Sequence, residues 1–340
     1  MKVGEFVGRF MDQRRQKRSV KEFFESGSML CEQCGHVLSL AGLKPFSFTE
    51  CPKCAFKNFV PMRMGDYMLF QPVGAGGNAS VYKAWRKDDT EHLFAAKILQ
   101  PERARDRETL DNFLLEVRIH EDVNNHPNIA TFYGHGIEED YHYFIMDFIE
   151  GEGLKHILSH KGKLDEVRAL DILAQVISAM KHIYKAGYLY RDLSAGNVIV
   201  QPNGHAVLID FGLTLPREEA SRKGTETYVD GTAEFIPPER IYRRGEDAPS
   251  VIYSLGMLLY YMLTAEPLIK ATTLVGKAKR HVSNLRLAIT PDMLPGNSED
   301  TAGLLGIMIE PDPDDRFQTF EDLEAAVNGR GPGAVRRVHD

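Results

Sequence analysis

Asp192, Asn197 and Asp210 are the residues whose types and spacing most directly suggest chemistry. An aspartate, an asparagine five residues later, and a second aspartate thirteen residues beyond, in the triplet Asp210-Phe211-Gly212, supply one proton acceptor and two oxygen ligands for a hard cation. Magnesium takes such ligands, usually alongside substrate phosphates, so the chemistry this set could run is phosphoryl transfer. The first two residues lie in Tyr190-Arg191-Asp192-Leu193-Ser194-Ala195-Gly196-Asn197. Upstream, Phe94-Ala95-Ala96-Lys97-Ile98-Leu99 is an apolar run with one lysine. A lysine in such a run needs an anionic partner, because an unpaired buried charge is expensive.

The four cysteines form a second group: Cys31-Glu32-Gln33-Cys34 and Cys51-Pro52-Lys53-Cys54, separated by sixteen residues. Two such pairs offer four thiolates with the spacing of a zinc ribbon, and a closed four-cysteine site makes Zn²⁺ structural. Disulfides and a rubredoxin-type iron site are the alternatives. His36 is superfluous to the ligand set once four thiolates are available. The ribbon, residues 29–62, is too small to bury a sufficient core, so metal binding would supply its folding energy. Phe46, Phe48, Phe56 and Phe59 are expected to form that small core, with an external contact face as the alternative.

Other elements must position the first group. Strands are expected over 67–72 and 81–86, with the glycine-rich turn Gly74-Ala75-Gly76-Gly77-Asn78-Ala79-Ser80-Val81 between them. Glycines let such a turn lie flat over phosphates and offer backbone N–H groups to them. A generic turn is the other reading of this stretch. Residues 107–123 carry Leu110, Phe113, Leu114 and Val117 at helical spacing. Glu116 borders that stripe and is the candidate partner for Lys97, a solvated glutamate being the alternative.

In this order the motifs resemble a eukaryotic-type protein kinase domain over residues 66–328. The resemblance implies an α+β, bilobal kinase-like fold preceded by the zinc ribbon. It implies Asp192 as the base, Asn197 and Asp210 on Mg²⁺, and Lys97 on the phosphates with Glu116 as its partner. ATP is then expected against Gly74, Ala75, Gly76, Gly77, Asn78, Val81 and Ala95. Met146 would be the gatekeeper, and the backbone of Asp147 and Phe148 would meet the adenine edge. Gly231-Thr232-Ala233-Glu234-Phe235-Ile236-Pro237-Pro238-Glu239 is similar to the end of an activation segment, with Pro237 in place of alanine. Arg316 is expected to pair with Glu239. Thr232, and the absence of tyrosine-kinase features, imply Ser/Thr acceptors on a protein substrate. Arg191 beside Asp192 implies a phosphate acceptor on the loop before Gly231, with Thr225 and Thr227 the expected sites, against an ordinary polar loop. Beyond Pro237, and Tyr190 in place of the usual His, three more positions depart from the family pattern. Ala79 replaces the third glycine of the loop, Ser194 stands where a lysine is usual, and Val251 stands where an aspartate normally anchors the catalytic-loop backbone.

The resulting order is a basic lead (1–28), the ribbon (29–62), the smaller lobe (66–149), the larger lobe (150–328) and a tail rich in Gly and Arg, expected to be disordered (329–340). The lead holds Arg14, Arg15, Lys17, Arg18 and Lys21 among apolar residues. It is read as a solvated helix or a disordered segment, with an amphipathic helix that touches an anionic membrane or packs on the kinase-like domain as the alternative. The formal charge of −7 gives no general reason to expect nucleic acid as a partner. The longest apolar run, 251–263, is too short to span a bilayer and reads as a buried helix. With no apparent export signal, a cytoplasmic protein with reduced thiols is expected. Two other functions stay open: a pseudokinase scaffold, and a nucleic-acid-binding regulator acting through the ribbon. The ribbon is expected to serve as a docking or regulatory module.

Overall fold

The structure, a computed structural model, describes residues 26–75, 79–222, 231–269, 289 and 291–329. The lead up to residue 25, Gly76, Gly77 and Asn78, the expected acceptors Thr225 and Thr227, and the tail from 330 lie outside the described residues. The chain divides into two compact units. One takes the chain up to Phe113 together with Phe132–Phe148; the other takes Leu114–Thr131 and the chain from Ile149 onward.

The first unit is built on a six-stranded antiparallel sheet. Its order is Met62–Met64, Tyr67–Ala75, Ala79–Arg86, Asp89–Leu99, Tyr141–Asp147, Phe132–Glu138. The strands are rich in aromatic and β-branched residues, which fit a pleated surface. Successive side chains take opposite faces, while residues directly across from each other share one. Lys97 pairs with Val81 and Phe144, and Ala95 pairs with Lys83 and Met146. Val81, Ala95, Lys97 and Met146 therefore lie on one face. The other face carries Tyr82, Ala84, Phe94, Ala96, Ile98 and Ile145, which form a single core with Phe59, Met62 and Met64.

That core differs from the expectation that the four phenylalanines make the small core of the ribbon. The ribbon has two hairpins, Ser28–Leu30 with Val37–Ser39 and Phe48–Glu50 with Lys57–Phe59. The chain then runs directly into Met62–Met64, the edge strand of the six-stranded sheet. The Phe46 ring lies 4.8 Å from that of Tyr82 and 5.5 Å from that of Tyr141, and Phe59 stacks on Tyr82 at 5.7 Å. Phe56 packs against the cysteines, and Phe48 is 52% exposed. The physical reason is size: a ribbon of this length lacks apolar surface of its own and borrows the back of the sheet.

The second unit is mostly helical around one large core. Glu166–Lys185 begins where the Asp165 carboxylate accepts the Arg168 N–H, a standard N-terminal cap. Its Leu170, Leu173, Ile177 and Met180 point inward. The helix expected at 251–263 spans Ala248–Thr264, starting earlier because Asp247 and Ser250 form a capping box. It packs against Glu166–Lys185, Glu299–Met308 and Phe320–Asn328. No helix among the described residues is long and apolar enough to cross a membrane.

Candidate functional site

A small hairpin in the second unit brings the two halves of the acidic motif together. Val198–Val200 pairs with Ala206–Leu208, Val198 facing Leu208, and the Ile209 N–H donates to the Asn197 carbonyl at 3.3 Å. Asn197 and Asp210 thus emerge from the same end of one hairpin. Before it, Ser194 caps the short turn Ala195–Asn197 by accepting the Gly196 N–H at 3.3 Å. Ser194 is buried and local in its contacts, and brings no cation to the place where a lysine is usual.

Asp192 is held on both carboxylate oxygens. Asn197 Nδ2 donates to Asp192 Oδ2 at 3.0 Å and to the Asp192 carbonyl at 2.8 Å. The Thr232 N–H and Oγ1 donate to Asp192 Oδ1 at 3.0 and 3.1 Å. Gly231 delivers Thr232 with φ +116°, a conformation that side chains rarely adopt. A carboxylate fixed in this way presents a stable acceptor geometry and needs no rearrangement before taking a proton.

Asp210 is oriented by its neighbours. Its Oδ1 accepts the Gly212 N–H at 3.0 Å. Phe211, 1% exposed, sits edge-on to His120 at 4.6 Å and to Tyr190 at 5.6 Å. Burial, followed by the nearby Asp210 and Asp192 charges, pushes the Tyr190 phenol well above its usual pKa. It is therefore a neutral packing group. Glu116 belongs to the same unit and is buried, at 5% exposed. Lys97 belongs to the other unit.

In the first unit, Val81, Ala95, Lys97 and Met146 share the sheet face described above. Lys97 is half-buried, with its ammonium 5.9 Å from the Phe144 ring centre. Gly74 and Ala75 are the last residues of their strand, opposite Val81 and Ser80. At the expected hinge, the Phe148 N–H donates to the Leu93 carbonyl at 3.1 Å. The Asp147 side chain accepts the Tyr133 hydroxyl at 2.7 Å. That N–H is thus engaged with the strand Asp89–Leu99.

Arg316 and Glu239 meet as the motifs imply. Nη1 and Nη2 of Arg316 donate to Oε1 and Oε2 of Glu239 at 2.8 and 3.1 Å, with both side chains buried. Arg316 also donates to the Glu310, Pro249 and Pro311 carbonyls, and Ser250 Oγ donates to Glu239 Oε1. Sequence reasoning missed Arg240 and Glu246, which form a buried pair beside Arg191. They lie in a polar stretch with no periodicity or spacing to mark them.

The four cysteines close a separate site at the turns of the two ribbon hairpins. Their Sγ atoms all lie within 4.8 Å of one another, with Cys31–Cys54 at 3.6 Å and Cys34–Cys51 at 3.7 Å. A disulfide needs about 2.05 Å, whereas ~2.3 Å Zn–S bonds in a tetrahedron set neighbouring sulfurs about 3.8 Å apart. The donor set therefore fits zinc. The two turns repeat one geometry: Gly35 and Ala55 donate N–H groups to the Cys31 and Cys51 carbonyls, with φ of 69° and 58°. Buried Asn58 donates to Cys31 Sγ at 3.6 Å and accepts the Glu32 N–H at 2.9 Å. Burial raises the Cys31 thiol, but the Cys34 and Gln33 N–H groups and Asn58 outweigh it and bring it down to about 7.

Comparison with known proteins places these observations in a family. The protein kinase domain family matches residues 67–326. Serine/threonine-protein kinase PknA of Corynebacterium glutamicum is 29% identical over 270 residues, 77% of this chain and 56% of that protein. PrkC of Bacillus subtilis is 29% identical over 268 residues, 77% of this chain and 40% of that one. A probable serine/threonine-protein kinase of Streptomyces coelicolor is 32% identical over 292 residues, 81% of this chain and 42% of that one. The chain spans about half the length of these relatives. With the family match running from the first long strand to the last helix, the chain belongs to the protein kinase domain family.

Proposed function

We propose that this chain transfers the γ-phosphoryl group of Mg-ATP to a Ser or Thr hydroxyl of a protein substrate. The observation that carries this reading is the fixed carboxylate of Asp192, gripped by Asn197 and Thr232 while Asp210 leaves the adjacent strand. Asp192 accepts or orients the hydroxyl proton. Asn197 and Asp210 would hold Mg²⁺, which neutralises charge on the phosphates when bound. Lys97 takes the phosphates, with Glu116 assigned to its support, and Val81, Ala95 and Met146 line the nucleotide's apolar side. Self-phosphorylation at Thr225 or Thr227 belongs to the same proposal.

The test is transfer of radiolabelled phosphate from ATP to a generic basic protein. Loss of transfer in Asp192→Ala supports the enzyme. A scaffold without catalysis is favoured by one observation: Ser194 contributes only a local cap where a lysine is usual. Normal ATP binding with no transfer to any protein would decide for the scaffold.

The sulfur spacing supports a second assignment, a structural Zn²⁺ on Cys31, Cys34, Cys51 and Cys54. Four free thiols suit a reducing compartment such as the cytoplasm. Native mass spectrometry checks the metal: a mass increment for one zinc that disappears in Cys51→Ala supports it, and an unchanged apo mass sinks it.

A further inference from the structure

Val251 occupies the position at which the family resemblance expects an aspartate holding the catalytic-loop backbone. It is 3% exposed and has no polar side-chain atom to offer. The backbone ahead of Asp192 is nevertheless held. Arg240 Nη1 donates to the Arg191 carbonyl at 2.6 Å, one residue from the base. The same guanidinium donates through Nε and Nη2 to Glu246 Oε2 at 2.9 and 2.7 Å. The other oxygen of that carboxylate, Oε1, takes Arg191 Nε at 2.9 Å and Nη2 at 2.8 Å. Arg191, Glu246 and Arg240 side chains are only 8%, 3% and 5% exposed.

Each component is fixed by something else. Glu246 is set in place by its own N–H, which donates to the Ala220 carbonyl at 2.9 Å. Its neighbour Gly245 passes so close to Ser221 that an added Cβ would lie 2.2 Å from the Ser221 carbonyl oxygen. A Cβ on Gly231 would lie 3.1 Å from Arg240 Nη1 and 3.7 Å from Asp192 Oδ1. The Arg240 head group therefore adjoins the chain on both sides of the base: the Arg191 carbonyl before it, and the Gly231 backbone that delivers Thr232 to it.

We infer that Arg240 and Glu246 are positioning residues for phosphoryl transfer, anchoring the catalytic loop where the chain lacks the aspartate at 251. Charge-assisted hydrogen bonds between buried planar groups are directional and strong, as such an anchor requires. Glu246 orients both guanidinium groups, and Arg240 carries that orientation to the backbone. The inference rests on the kinase reading above.

The test uses the full chain with ATP and a generic basic protein. Arg240→Gln and Glu246→Gln are each expected to lower kcat about 10- to 100-fold, the scale of a small misplacement of a catalytic group. ATP affinity should change little, while the melting temperature falls most in Glu246→Gln, which leaves two buried guanidinium groups without their shared counter-charge. The double variant, which leaves no buried carboxylate facing a missing partner, should be no worse than the worse single variant, because the two act as a unit. It carries the test if a single variant fails to fold. Arg240→Lys, which keeps one donor for the Arg191 carbonyl, should recover part of kcat. Undiminished kcat in the variants, beside an active wild type, would overturn the inference alone. So would losses in kcat matched by equal losses in ATP affinity, measured well below the melting temperature of each variant, since they would indicate a purely structural role. A wild type without transfer would overturn the kinase reading and this inference with it.

Discussion

Arg191 illustrates how one residue's partners set a requirement for activation. The family resemblance implies that this arginine meets a phosphate on the activation segment. In this chain two of its donors already meet the Glu246 carboxylate, an anionic partner that needs no phosphorylation. Phosphatase-treated protein is therefore expected to keep most of its kcat, and a collapse to background after treatment would show that Glu246 does not serve in place of phosphate. Asp192 gives a sharper expectation. Asp192→Asn keeps the size of the side chain but removes the proton acceptor, so kcat should fall by a few powers of ten, each worth about 1.4 kcal/mol in the barrier. ATP affinity should be retained, measured by direct titration. These two residues also mark what was legible in sequence. Asp192, Asn197 and Asp210 stand out because chemistry demands their types at set spacings. Arg240 and Glu246 do not, because a fold can bring a guanidinium to a backbone carbonyl from almost any sequence position.

Capping and ion pairing fix how the helices meet the stretch that ends at Glu239. Arg316 precedes the last helix, Phe320–Asn328, and reaches Glu239 in the short helix Pro238–Ile241. Arg316→Ala leaves the buried Glu239 carboxylate with Ser250 but without its counter-charge, and breaking a buried pair in this way costs about 3–5 kcal/mol. Chemical denaturation of the variant checks that figure, and a loss below about 1 kcal/mol, the scale of an exposed pair, would contradict it. This contact was readable in advance, since a rigid fork opposite a carboxylate is a recurrent solution. The turn before Phe132–Glu138 predicts a pH dependence. Burial, then His182 and His205, lower the pKa of His126. Its ring contacts Ser178 at 3.2 Å and lies 4.9 Å from the His182 ring. The folded state thus binds fewer protons at this site than the unfolded chain. This contribution to stability is whole above about pH 6.5, the unfolded histidine value, and declines as pH falls through it towards the lower folded pKa. His126→Gln should flatten the melting temperature between pH 7 and 5.5, by scanning calorimetry; an unchanged slope would remove His126 as the source.

Across the molecule, the least legible feature was the relation of the ribbon to the sheet. Spacing of the cysteines marks a ribbon as a unit, and nothing in the spacing says where its aromatic residues pack. The structure makes the ribbon the back wall of the sheet whose other face carries Val81, Ala95, Lys97 and Met146. Tyr82, in contact with Phe46 and Phe59, lies next to Val81 along one strand. Zinc, if it supplies the folding energy of the hairpins, then also supports the sheet, because folding energy and metal binding are one quantity in such small modules. Chelation should speed amide exchange in the ribbon and also at Tyr82, Ala84, Ala96 and Ile98, while amides inside Glu166–Lys185 keep their protection. ATP affinity should weaken in parallel, since Val81 and Lys97 sit on strands that have lost their backing. Phe46→Ala, which leaves all four cysteines in place, should reproduce the effect on the sheet with zinc still bound. Exchange that accelerates only up to residue 61 after chelation, with ATP affinity intact, would make the ribbon an independent module and return it to the docking role its sequence first suggests.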